Sequence, residues 1–78
     1  MTIAQYRIYK AIKEYINKKG YSPTVRELCK MTGKNRPGTV EDHLKKLKET
    51  GYITFIPNLS RTIRIIKVVD NIEQELFI

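Results

Sequence analysis

Residues 24–49 read TVRELCKMTGKNRPGTVEDHLKKLKE, and their punctuation divides them into two helices around a tight turn. Thr24 with Glu27 three residues on is a capping box, in which hydroxyl and carboxylate each satisfy an amide left open by the first helical turn. Val25, Leu28, Cys29 and Thr32 then share one face at spacings of three and four, and Gly33 stops the helix after about two turns. Pro37, with its fixed φ and missing N–H, suits the first position of the next helix, across the short connection Lys34-Asn35-Arg36. Val40, Leu44 and Leu47 form the buried stripe of that helix over 37–49, and Gly51 closes it. Gly38, Thr39, Asp42, Lys45, Lys46 and Glu49 fall on the opposite face. Arg36 stands at the N-cap, where arginine is a poor choice, a mild sign that it serves another purpose. Cys29 reads as a small core residue rather than a reactive thiol, and His43 as half-buried packing at the edge of the stripe.

Upstream, Thr2-Ile3-Ala4-Gln5 is another capping box and opens a helix over 3–19. Ile8, Tyr9, Ile12, Tyr15 and Ile16 share its inner face, with Arg7, Lys10, Glu14 and Asn17 opposite. Lys18-Lys19-Gly20 ends it, with cations at the negative end of the dipole. Tyr21-Ser22-Pro23 is extended, because Pro23 disfavours helix at the residue before it. Downstream the period changes to two. Tyr52–Ile56 and Arg61–Ile66 read as strands around the turn cluster Pro57-Asn58-Leu59-Ser60, a β-hairpin that must pack on the helices to be stable. Asp70-Asn71-Ile72-Glu73 resembles a further helix cap, with Ile72 and Leu76 on one face, in a segment too short to be helical alone. The expected organisation is a domain over 1–67 and an acidic, apolar tail over 68–78. The fold class is α+β, mainly α: a winged helix-turn-helix of three helices followed by a two-stranded wing. In that architecture the second helix packs across the third and leaves its outer face for a DNA major groove, about 12 Å wide.

At 78 residues the chain is one small domain, and its 41% hydrophobic content allows a thin core. No uncharged run is long enough to span a bilayer and no charged-then-apolar leader opens the chain, so the expectation is a cytoplasmic protein without membrane contact. The lone Cys29 excludes an internal disulfide. His43 has no base, nucleophile or metal co-ligand near it in sequence, so no enzyme, cofactor, metal or small-molecule ligand is expected. Net charge is +7. All fifteen basic residues precede position 68, leaving residues 1–69 at +10 and the tail, with Asp70, Glu73 and Glu75, at −3. Such a domain attracts polyanions, although a lysine-solvated surface has the same composition.

Gly20-Tyr21-Ser22-Pro23-Thr24-Val25-Arg26-Glu27-Leu28 looks like the G-x-P-P-[ST]-x-R-E-[IL] segment of one family. The likeness continues without gaps through Glu41-Asp42-His43-Leu44-Lys45-Lys46-Leu47, Gly51-Tyr52-Ile53 and Ser60-Arg61-Thr62-Ile63-Arg64. Over residues 2–66 the chain resembles the N-terminal DNA-binding domain of LexA-type repressors. The resemblance implies a transcriptional regulator, a repressor, whose third helix enters an operator half-site. Carried over, the base-reading positions are Arg36, Gly38, Thr39, Glu41 and Asp42, and the phosphate-touching ones Thr24, Arg26, Ser60 and Arg61. Two departures stand out. Arg36, Gly38 and Thr39 occupy positions that usually hold small or amide residues, so the operator is not expected to match the family's. The family's self-cleaving Ser–Lys protease domain, which also dimerises it, does not fit in the twelve residues after Ile66, so a stand-alone regulator is expected.

The residues' own chemistry runs alongside. Arg36 can bond guanine O6 and N7 or clamp a phosphate. Thr39 can meet a thymine methyl or a base edge. Glu41 and Asp42 make sense near DNA as acceptors from cytosine N4 or as orienters of Arg36, or simply as acids favoured early in a helix. Lys34, Asn35, Lys45 and Lys46 are candidates for phosphates. The expected partner is double-stranded DNA, with homodimerisation through Ile72, Leu76, Phe77 and Ile78. The alternative is a winged-helix protein-interaction adaptor, which would account for Glu41, Asp42 and Glu49 on a basic helix. RNA fits poorly, because a helix cannot enter the narrow A-form groove.

Overall fold

Each helix begins and ends where its local chemistry requires. In a computed structural model that describes residues 1–33 and 36–68, the order is α1 (Ile3–Lys19), α2 (Val25–Thr32), α3 (Pro37–Glu49), β1 (Ile53–Thr54) and β2 (Arg64–Ile65). Both capping boxes form. The Gln5 amide donates to Thr2 Oγ1 at 3.1 Å while Thr2 N donates to Gln5 Oε1 at 3.0 Å. The Glu27 amide donates to Thr24 Oγ1 at 3.1 Å while Thr24 N donates to Glu27 Oε1 at 2.9 Å. Gly33 closes α2 in the left-handed region at φ 71°, where a β-carbon is disfavoured, and so makes the tight turn of the helix-turn-helix. Arg36 is extended and makes no side-chain cap, with Pro37 beginning α3.

The end of α3 differs in detail from expectation. Thr50, not Gly51, is the cap, with its hydroxyl donating to Lys46 O at 2.8 Å. Gly51 follows at φ 85° and reverses the chain, so that Tyr52 N reaches Leu47 O at 2.9 Å. That reversal buries Tyr52 and Ile53 together, which breaks the simple alternation expected of a strand.

The core gathers Ile8, Tyr9, Ala11 and Ile12 of α1, Leu28 of α2, Val40, Leu44 and Leu47 of α3, and Tyr52, Ile53 and Ile63 of the hairpin. Ile16, Val25 and Cys29 pack around it and His43 is half-buried, as the helical periods predict, with Phe55 and Ile65 of the hairpin beside them. Met1, Ser22 and Pro23 are buried as well, without any periodic pattern to announce them. Tyr9 meets Tyr52 edge-on at 6.4 Å and donates its hydroxyl to Lys67 O at 2.9 Å, tying the chain beyond β2 to α1.

The wing's ladder is shorter than the strands read over 52–56 and 61–66. Antiparallel pairing is limited to Ile53 with Ile65 and Thr54 with Arg64. Past Thr54 a side chain takes over from the ladder: Thr62 Oγ1 accepts from Ile56 N at 2.9 Å and donates to Leu59 O at 3.0 Å. Asn58 and Arg61 sit in the left-handed region, at φ 64° and 58°, which turns the backbone out of strand geometry. The candidate phosphate residues Lys34 and Asn35 and the candidate dimer residues Ile72, Leu76, Phe77 and Ile78 lie outside the described residues. Among those described, no helix is long and apolar enough to cross a membrane.

Candidate nucleic-acid interface

Because Val40, Leu44 and Leu47 face the core, a turn of 100° per residue carries Gly38, Asp42, Lys45 and Glu49 to the far side of α3, with Lys46 beside them. All five are exposed. Glu41 lies on the flank towards the wing and is exposed, whereas Thr39 lies on the other flank, beside His43, and is half-buried. Gly38 has nothing within 4 Å of the position a β-carbon would take, so the backbone there is open to close approach. Arg36 is exposed just ahead of the helix. Lys46 pairs with Glu49 at 3.7 Å, an exposed contact worth only a fraction of a kcal/mol.

An open cleft of about 780 Å³ separates the start of α2, α3 and the wing. Thr24 and Arg26 line its first wall, Glu41 and Lys45 its second, Ser60 and Arg61 its third. Residues far apart in sequence are thereby brought around one concavity beside the outer face of α3.

The wing is fastened by side-chain contacts that no sequence pattern records. Lys48 of α3 donates to Phe55 O at 2.9 Å and sits 4.7 Å above the Phe55 ring. On the other arm, Arg61 Nη1 lies 3.1 Å from Glu27 Oε1 and donates to Ser22 O at 3.0 Å and to Tyr15 Oη at 3.3 Å. The guanidinium also covers the Tyr21 ring at 5.0 Å. Tyr15 Oη donates to Glu27 Oε2 at 2.9 Å, and Ile63 N donates to the buried Ser22 Oγ at 3.1 Å. The extended Tyr21-Ser22-Pro23 segment is thus the seat of the wing. Arg61, a candidate phosphate contact by resemblance, has its head group engaged by partners of its own chain although the side chain is 43% exposed.

The network also sets ionisation. The Thr24 amide, then the Tyr15 hydroxyl, hold the Glu27 carboxyl down from 4.5 to about 2, with partial burial opposing and Arg61 assisting. Arg61 is raised by its bonds to Tyr15 and Glu27. A depressed carboxylate contributes stability that is present above its unfolded value and lost as pH falls through the folded one. Glu27→Gln, whose amide oxygen can keep the capping bond, is therefore expected to be less stable than the parent at neutral pH. That gap should close between pH 4.5 and about 2 in urea titrations. A gap that stays constant over this window would contradict the assignment.

Three helices in this order, a glycine turn between the second and third, and a short antiparallel wing held against the third helix and the segment joining the first two define a winged helix-turn-helix. Residues 1–62 match the family model of the LexA DNA binding domain. The LexA repressor of Carboxydothermus hydrogenoformans is 40% identical over 60 residues, covering 77% of this chain and 29% of the relative. That of Clostridium novyi is 46% identical over 63 residues, covering 81% and 31%. LexA repressors of Staphylococcus aureus are 40% identical over 77 residues, covering 96% and 37%. The chain belongs to the LexA DNA-binding-domain family, and it spans about a third of the length of the curated relatives it matches.

Proposed function

We propose that the protein binds duplex DNA sequence-specifically and regulates transcription as a repressor, with α3 in the major groove and the wing on the backbone. The observation that carries this reading is the exposed outer side of α3, entered through Arg36 and Pro37, beside a cleft rimmed by Arg26, Lys45 and Ser60. Arg36, Gly38, Glu41 and Asp42 are the base readers in this reading, with Thr39 contributing from the flank. Thr24, Arg26, Lys34, Asn35, Lys45, Lys46 and Ser60 take phosphates. The role is recognition, exercised in the cytoplasm where the chromosome lies.

Selection of bound fragments from random duplex DNA tests it, and the winning sequence should show a defined half-site. With Arg26, Lys34, Lys45 and Lys46 neutralising about four phosphates, log K should fall with log salt at a slope of roughly −3.6. A slope near zero would instead favour protein recognition, for which the exposed Ile56 and Leu59 of the wing, each 58% accessible, offer apolar contacts. Modules of this kind reach high affinity by pairing on two half-sites, and residues 72, 76, 77 and 78 are our candidate dimer contact. Removing residues 70–78 should shift the sedimentation equilibrium towards monomer; an unchanged balance would eliminate that contact.

A further inference from the structure

The two-residue ladder is too short to fix the wing by itself. The arm carrying Arg61 is held in the left-handed region, at φ 58°, and such a conformation in a non-glycine residue persists only where its surroundings over-determine it. Here the surroundings are Glu27, Ser22, Tyr15 and Tyr21, all engaged by one guanidinium. A DNA phosphate seeking Arg61 would have to compete with a carboxylate already 3.1 Å away.

We propose that Arg61 is a positioning residue for DNA binding: by clasping Glu27, Tyr15 and Ser22 O it sets the wing turn at a fixed offset from α3. The inference rests on the DNA-binding reading and deepens it. Its chemistry distinguishes it from a phosphate contact. Lysine is an adequate point charge for a phosphate, but it lacks the planar fork that reaches several acceptors at once and stacks on a ring. Glu27, buttressed at the far end of the clasp, would repel phosphate if it faced DNA, so neutralising it should help a direct contact and harm a clasp.

The test titrates the full chain, its variants Arg61→Lys, Arg61→Ala, Glu27→Gln and Tyr15→Phe, and the Glu27→Gln, Arg61→Lys pair with a selected duplex and a scrambled one. Titrations span a range of salt, and an unfolding curve is recorded for each protein. Arg61→Lys and Glu27→Gln should each weaken the selected duplex about 3- to 10-fold, the cost of ordering a loosened wing on binding. Tyr15→Phe, which loses one hydroxyl and keeps the ring, should move the same way by less. The salt slope should stay at the parent value, and the Glu27→Gln, Arg61→Lys pair should bind no worse than the weaker single variant. Parent-like binding by Arg61→Lys, equal or tighter binding by Glu27→Gln, and a slope reduced by about one in Arg61→Ala would overturn the clasp in favour of a phosphate contact. Weakening no larger than the lost folded fraction of each variant accounts for would overturn it in favour of a purely structural role. A parent that discriminates between duplexes while all variants match it sinks the clasp alone; a parent that does not discriminate sinks the DNA-binding reading, and the clasp with it.

Discussion

Leu47→Ala should lower the unfolding free energy by about 2–5 kcal/mol, as truncations of fully buried leucines do. Leu47 is completely enclosed in the core, and its carbonyl receives the backbone N–H of Tyr52. A domain of this size has on the order of 4–12 kcal/mol in total, so a single cavity removes a large part of it. Ile12→Ala and Leu28→Ala, equally enclosed, belong to the same class. Ile66→Ala, at 61% exposure, should stay within about 0.5 kcal/mol of the parent and serves as the control. Urea unfolding followed by circular dichroism measures both. Equal midpoints for Leu47→Ala and Ile66→Ala would mean that α3 is not seated on the core as described, and its outer face would lose its fixed orientation.

The second large effect is on recognition. Arg36→Ala combined with Thr39→Ala should reduce the preference for a selected duplex over a random one by about 10- to 100-fold, since one bidentate arginine–guanine pair discriminates by about 1–3 kcal/mol. Most of the loss should follow Arg36, because Thr39 is half-buried on the flank of α3. Binding to random DNA should change far less, being carried by phosphate contacts elsewhere. Competition titrations with the two duplexes at one salt concentration read this directly. An equal loss on both would remove Arg36 from the reading set.

How much of this was legible in the sequence depends on the range of the interactions involved. The helix limits were, because capping boxes, Pro37 and the closing glycines act within a few residues of themselves. The outer face of α3 was too, since three buried positions fix the orientation of all thirteen residues. The wing was legible as a hairpin but not in its extent: a threonine hydroxyl replaces ladder bonds there, and no alternation pattern records that substitution. The clasp was not legible at all. Glu27 already had a local role as the last residue of its capping box, and Arg61 meets it across 34 positions and Tyr15 across 46. Pairings over such separations leave no periodic trace. Ser22 and Pro23 looked like a connector for the same reason, and they are buried under the wing.

Chemical protection of guanine N7 on a duplex recovered by selection tests most directly whether the hydrophilic side of α3 occupies a major groove. The bound protein should shield a guanine within the selected half-site from N7 methylation, and Arg36→Ala should abolish the shielding at that base while the backbone footprint persists. Major-groove guanines fully reactive under saturating protein, or shielding unaltered by Arg36→Ala, Thr39→Ala and Asp42→Ala alike, would contradict the account.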